Sequence, residues 1–103
     1  MTTTLAEMDA DAVQRVTLTV DACEVAFVEF YSFGKVAIVT HTEVELPHQG
    51  KGLGALVASR ALQRFQSENR DVVPVCGFFL QHLRRNPEFA GLLTPGCRRI
   101  FAV

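Results

Sequence analysis

The sequence predicts a mixed α/β fold, in which an antiparallel hairpin leads into a parallel βαβ unit. Three segments, Arg15 to Val20, Glu24 to Tyr31 and Val36 to Val44, are rich in the alternating apolar and β-branched residues of strands. An apolar stripe at helical spacing then runs from Leu53 to about Asn69, and a short apolar run, Val72 to Cys76, follows it. We therefore expect about four or five strands and two main helices.

Turn residues separate these segments. Asp21-Ala22 is predicted to close a hairpin, and Ser32 to Lys35 is predicted to turn the chain again. Because strand, helix and strand then follow one another directly, the strands before and after the first helix should be parallel neighbours. A second helix is predicted from Phe78 to about Arg85, ending before Pro87. Residues 94–103 are expected to form a short terminal strand or a loose end.

The first helix should bury one stripe and expose the opposite side. The members of the buried stripe are expected to be Leu53, Leu56, Val57, Ala61, Leu62 and Phe65. The side facing water is expected to carry Ser59, Arg60, Gln63 and Arg64.

Composition points to one domain of 103 residues, with 49% apolar residues and a net charge of −1. Residues 15–103 are assigned to that domain, and residues 1–14 to a disordered or weakly ordered segment. The charge gives no reason to expect nucleic acid as a partner, and no apolar run approaches a membrane span. With no signal-peptide pattern at the N-terminus, a cytoplasmic location is expected. Three cysteines without C-x-x-C spacing argue against a disulfide framework or a metal site.

The loop Gln49-Gly50-Lys51-Gly52-Leu53-Gly54 lies between a predicted strand and a predicted helix. Glycines at every second position leave backbone N–H groups uncovered at the positive end of the helix dipole. Such a loop is suited to a phosphate or a pyrophosphate. The alternative is that the glycines only make a tight turn, but the strand–loop–helix context favours the anion site.

The two common nucleotide loops do not fit this segment. A Walker loop requires Ser or Thr after its lysine, whereas Gly52 follows Lys51. A dinucleotide loop has a different glycine spacing and an acidic residue ending the next strand, where this chain has Cys76.

The loop resembles the Gln/Arg-x-x-Gly-x-Gly/Ala motif of the GNAT superfamily of N-acetyltransferases, which binds the pyrophosphate of acyl-CoA. Gln49, Gly52 and Gly54 match the motif, and Val44 matches the valine that ends the preceding strand. The resemblance implies a GNAT-like fold and acetyl-CoA as co-substrate. It implies that CoA is held by Val44, Gln49, Gly50, Lys51, Gly52, Leu53 and Gly54.

A longer series of motifs, from about Arg15 to Leu92, is similar to a small, truncated GNAT subfamily. The matching segments are His41-Thr42-Glu43-Val44, Val73-Pro74-Val75-Cys76 and Arg84 to Phe89. Full-size relatives have N-terminal helices that wall the acceptor cleft, and this chain is too short for them. The implied acceptor is therefore an unidentified amine, in an open site that suits a larger molecule or a partner protein. The oligomeric state is not indicated.

Three residues are candidates for catalysis. Strand alternation puts His41 and Glu43 on one face, so Glu43 is either a general base acting through water or a structural acid paired with His41. Cys76, at the end of its strand, either lines the pocket, protonates the leaving thiolate or accepts the acetyl group.

Two departures from the family pattern keep a second function open. Thr40 occupies the position at which these enzymes often carry a glutamate base, and His82 stands where relatives often carry a tyrosine. Asn86 also departs from the subfamily, which has histidine at this position. Imidazole titrates near neutral pH, so His82 is either a proton donor or an ordinary surface residue. The sequence thus predicts an N-acetyltransferase, with a non-catalytic acyl-CoA-binding sensor as the alternative.

Overall fold

The computed structural model describes residues 13–101, which form a four-stranded sheet and three α-helices. The strands are β1 (Val13–Val20), β2 (Cys23–Phe33), β3 (Val36–Val44) and β4 (Asp71–Pro74). The helices are α1 (Leu53–Ser67), α2 (Gly77–Arg85) and α3 (Pro95–Phe101), with 3-10 turns at Leu46–His48 and Pro87–Leu92. The predicted α/β class is confirmed. The expectation for the N-terminal segment lies largely outside the described residues, although Val13 and Gln14 belong to β1.

The strands lie in the order β1-β2-β3-β4. The first two pairings are antiparallel, and β3 pairs with β4 in parallel, as predicted. Asp21 and Ala22 both have positive φ angles, of 51° and 65°, which matches the two-residue turns that close twisted hairpins. The second turn is tighter than expected, because Ser32 and Phe33 remain in β2.

Helix α1 ends two residues earlier than predicted because Asn69 takes a left-handed conformation, with φ 55°. The N–H of Asn69 donates to the carbonyl of Gln66, and that of Arg70 donates to the carbonyl of Phe65. These two bonds form a Schellman motif, which satisfies the last carbonyls of a helix. The predicted loose end or strand at the C-terminus was wrong, since Pro95–Phe101 is helical.

One hydrophobic core joins the sheet to α1 and α2. At its centre the rings of Phe30 in β2 and Phe65 in α1 meet edge to face, with centroids 4.9 Å apart. The predicted buried stripe of α1 is correct at Val57, Ala61, Leu62 and Phe65. Leu56 is instead 39% exposed, and Ala58 takes its place in the core. Within residues 13–101 no helix is long and apolar enough to cross a membrane.

A bulge in β3 determines where the sheet opens. Glu29 pairs with His41 and Phe30 with Val39, so Thr40 is an extra residue opposite β2. The bulge changes the side-chain alternation, so Ala37 and Val39 before it face the core on the same side as Thr42 and Val44 after it.

Strand β4 separates from β3 at the level of this bulge. The parallel pairing ends at Val39 and Pro74, and the N–H groups of Val75 and Cys76 then both donate to the carbonyl of Val39. Proline has no N–H to continue a ladder, so β4 ends there, two residues before the predicted Cys76. Residues 40–44 of β3 therefore continue without β4 beside them. The two strands pair and then diverge, as the sequence predicted.

Candidate functional site

A cavity of about 930 Å³ lies where β3 and β4 diverge, beside the glycine-rich loop. Thr42 and Val44 line it from β3, and residues 49–55 line it from the loop and the start of α1, apart from Lys51. Its remaining wall comes from His48 and from α2. The volume lies within the range of about 300–1,000 Å³ that is usual for sites of small ligands.

The loop presents backbone N–H groups to this cavity. Gly50 and Gly52 have φ angles of 79° and 76°, a left-handed conformation that other residues adopt only at a cost of about 1–2 kcal/mol. The first hydrogen bond of α1 runs from the N–H of Leu56 to the carbonyl of Gly52, at 3.1 Å. The N–H groups of Leu53, Gly54 and Ala55 therefore have no partner within the helix. This arrangement fits a pyrophosphate at a helix N-terminus.

The third glycine of the loop has a different task. A Cβ at Gly54 would lie 2.9 Å from Cζ of Phe78 and 3.5 Å from a methyl carbon of Val44. Glycine thus lets α1 approach α2 and the end of β3. Around Gly52 no atom lies within 4 Å of such a Cβ, so the requirement for glycine there is its φ angle.

Gln49 holds the loop against the strand. Its side-chain amide donates to the carbonyl of Val44 at 3.0 Å, so the two motif residues are joined to each other. Lys51 is exposed and does not line the cavity. Val44, Gln49 and the three glycines are therefore brought together, whereas contact between Lys51 and a ligand stays a prediction.

Helix α2 contributes a cavity-lining face that the sequence analysis did not identify, although it named His82 on that helix as a possible proton donor. Phe78, Gln81, His82 and Arg85 line the cavity. Their spacing of three, four and seven residues from Phe78 puts them on one face of a helix, and this spacing was the available signal. The expected water-facing role of Ser59 was wrong, because its hydroxyl lies 2.8 Å from Nε2 of His82.

His82 is only 8% exposed, so it is not the ordinary surface residue that the sequence left open. Burial lowers its pKa, a lesser effect of Glu88 raises it, and Arg85 lowers it. The net shift is downward, which favours the neutral imidazole at neutral pH.

His41 and Glu43 lie together but outside the cavity. Their side chains meet at 3.3 Å, and each is about half exposed. Alternation along β3 points them away from the face of Thr42 and Val44, and the ring of His41 packs near Phe27 at 5.8 Å between centroids. The structure thus brings the pair together without bringing it to the cavity.

Cys76 precedes α2 and packs against the core. Its thiol lies 3.6 Å from the hydroxyl of Thr42, which lines the cavity. Cys76 is therefore adjacent to the cavity without lining it, and the next residue in the chain, Gly77, lines the cavity. Among residues 13–101 there is also no cluster of three or more side chains suited to hold a metal ion.

Comparison with known proteins agrees with this geometry. The family model described as GCN5-related N-acetyl-transferase matches residues 15–92, which is most of the chain. The chain belongs to the GCN5-related N-acetyltransferase family. A search of curated proteins finds no match.

Two solved structures share the fold of this family member. One is the ribosomal-protein-S18-alanine N-acetyltransferase from Escherichia coli, with a TM-score of 0.56 and 16% identity, over 70% of this chain and 47% of that one. Another is the ribosomal-protein-alanine N-acetyltransferase from Brucella melitensis biovar Abortus 2308, with a TM-score of 0.57 and 20% identity, over 80% of this chain and 60% of that one. The chain therefore spans about half of the length of these enzymes.

Proposed function

We propose that the chain binds acetyl-CoA and transfers its acetyl group to an amine. The observation that carries the proposal is the row of free N–H groups after Gly52, at the mouth of a cavity formed by diverging parallel strands. The pyrophosphate would lie on these N–H groups, and the pantetheine chain would lie along residues 40–44 of β3, where β4 no longer pairs. Membership of the family supports the same reading.

The reaction needs few groups beyond those that position the substrates. A neutral amine attacks the thioester carbonyl, the N–C bond forms, the C–S bond breaks, and one proton passes from the amine to the thiolate. We favour direct attack over an acetyl-enzyme, because Cys76 packs against the core behind the cavity wall. Glu43 stays a candidate base acting through water, and His41 its partner.

The acceptor class follows from the names of the similar structures and is part of the proposal. Both are named for acetylating an alanine of a ribosomal protein, and the matched amine here would be the free N-terminus of a protein. The test is thiol release from acetyl-CoA with three acceptors: an alanine-terminated peptide, the same peptide with only a lysine side-chain amine, and a small diamine. Fastest release with the first supports the proposal. No release with any of them, by a folded protein that binds acetyl-CoA, favours the alternative.

That alternative is a non-catalytic acyl-CoA-binding sensor. One observation favours it, namely that no carboxylate is found among the described residues that line the cavity. In this case acetyl-CoA would bind and thiol release would stay at the uncatalysed rate.

A further inference from the structure

His82 is the buried ionisable residue of the described chain, and it lines the candidate cavity. Its ring is held from a different helix, since Ser59 of α1 places its hydroxyl 2.8 Å from Nε2. Helix α1 also carries the glycine-rich loop at its N-terminus. The contact therefore links the element that would bind the anion to an imidazole at the cavity wall.

Both ring nitrogens of His82 have polar neighbours. The hydroxyl of Ser59 lies 2.8 Å from Nε2, and the amide nitrogen of Asn86 lies 3.5 Å from Nδ1 and 3.4 Å from Nε2. The same amide donates to the backbone carbonyl of His82 at 2.8 Å. Because a serine hydroxyl can donate or accept, the contact with Ser59 holds the ring in place and is compatible with either tautomer.

The charges that act on this ring come from two neighbouring elements. Arg85 lies on α2 itself, and Glu88 lies on the following 3-10 turn, with opposite effects on the pKa of His82. Ser59, from the third element, is uncharged. Burial acts in the same direction as Arg85, so the ring is a proton acceptor at neutral pH.

We propose that His82, held by Ser59, is the group that carries the proton during acetyl transfer in this cavity. The inference rests on the proposed function. As the amine nitrogen bonds to the acetyl carbon, its proton passes to the imidazole of His82. As the C–S bond breaks, the same proton passes to the thiolate, and the neutral ring is restored. Ser59 is a positioning residue, because it holds the ring by a hydrogen bond and contacts the ring instead of the substrate.

Other groups are placed less well for this task. Glu43 faces away from the cavity, and no carboxylate lines it within the described residues. His48 also lines the cavity, but it directly precedes Gln49, on the side of the anion loop. Arg60 lies next to Ser59 on α1, is exposed and does not line the cavity, so it serves as the control.

The experiment compares the full chain with His82→Gln, Arg60→Gln, Ser59→Ala and Ser59→Thr. Acetyl-CoA binding is measured by calorimetry, and transfer by thiol release between about pH 5.5 and 9. We expect His82→Gln to bind acetyl-CoA like the wild type while turnover falls about 100- to 10,000-fold. Arg60→Gln should keep its turnover. Ser59→Ala should lose about tenfold, and Ser59→Thr, which keeps the hydroxyl, should recover most of that loss.

A second readout does not depend on activity. Long-range proton–nitrogen NMR of the wild type should show a neutral His82 ring at neutral pH, and the Nε2 signal should change more in Ser59→Ala than in Ser59→Thr. The proposal is overturned if a folded His82→Gln variant binds acetyl-CoA and turns over at the wild-type rate, or if Ser59→Ala leaves the Nε2 signal unchanged. Failure of the wild type to bind acetyl-CoA would instead contradict the proposed function itself.

Discussion

The glycines of the loop are required for different reasons, which single substitutions can separate. At Gly52 the φ angle of 76° penalises any side chain. At Gly54 the obstacle is Phe78, whose ring atom would lie 2.9 Å from an added methyl group. The sequence motif treats both glycines alike, and only the packing of α1 against α2 distinguishes them.

Gly54→Ala should therefore push the Phe78 ring into the cavity. We expect a stability loss of about 1–3 kcal/mol, because overpacking forces neighbouring groups to move, and acetyl-CoA binding weakened about tenfold. Chemical denaturation and calorimetry measure the two effects. Gly91→Ala is the control, since no atom lies within 4 Å of its Cβ. Unchanged binding by Gly54→Ala would show that Phe78 does not border the ligand.

Cys76→Ala and Glu43→Gln test the residues that the sequence proposed for catalysis. If the amine attacks directly, the mass of the protein incubated with acetyl-CoA alone should not rise by one acetyl group, and Cys76→Ala should keep measurable transfer. An acetyl adduct that forms at the rate of turnover and disappears in Cys76→Ala would overturn direct attack.

If Glu43 only pairs with His41, Glu43→Gln should change turnover by less than tenfold, far below the roughly 100-fold loss of a true base.

At the scale of elements, the bulge at Thr40 decides which side chains of β3 reach the cavity. Under strict alternation, with Thr40 kept but not bulged, His41 and Glu43 would lie on the core face, and Thr42 and Val44 would leave it. Deletion of Thr42 should move Glu43 onto the core face and Val44 off it, so we expect it to cost on the order of 3 kcal/mol. Deletion of Thr40 removes only the extra residue and leaves Thr42 and Val44 on the core face, so it should cost less. Denaturant titrations compare both with the wild type, and equal losses for the two deletions would contradict the assigned register.

Strand β3 could be predicted with its bounds, Val36–Val44, because its β-branched residues lie between the Gly34 turn and the Gly-rich loop. The helix and strand types of α1, α2 and β4 followed from the same local patterns. The bulge, the bond between Ser59 and His82, and the orientation of Glu43 could not be predicted. They depend on pairing between segments distant in sequence, for which strict alternation and helical spacing carry no information.

At the scale of the whole molecule, both long helices contribute to one core with one face of the sheet. The opposite face carries residues such as Arg15, Phe27 and Glu29, where Arg15 lies 3.6 Å from the carboxylate of Glu29 and 4.0 Å from the centre of the Phe27 ring. With α1 and α2 packed on that face, the cavity lies where the core, the glycine-rich loop and the ends of β3 and β4 meet. Because His82 is buried, its protonation is coupled to the global unfolding of the domain.

The pH dependence of unfolding tests this connection. Burial keeps the pKa of His82 below its ordinary value of about 6.5, so the unfolded chain binds the proton more readily than the folded chain. This contribution to stability is present above about pH 6.5 and is lost as the pH falls below it. Urea titrations at about pH 7.5 and about pH 5.5 should show a larger loss for the wild type than for His82→Gln. Equal losses would contradict the burial of an uncharged imidazole.

Calorimetric titration of the full chain tests most directly whether the loop and cavity form an acyl-CoA site. Acetyl-CoA and CoA should bind at one site, while ATP and NAD should bind far more weakly, because only the first two have a pantetheine chain for the space beside residues 40–44. Gly52→Val should remove this binding. Equal affinity for ATP and acetyl-CoA, or undiminished binding of acetyl-CoA by a folded Gly52→Val variant, would contradict the account.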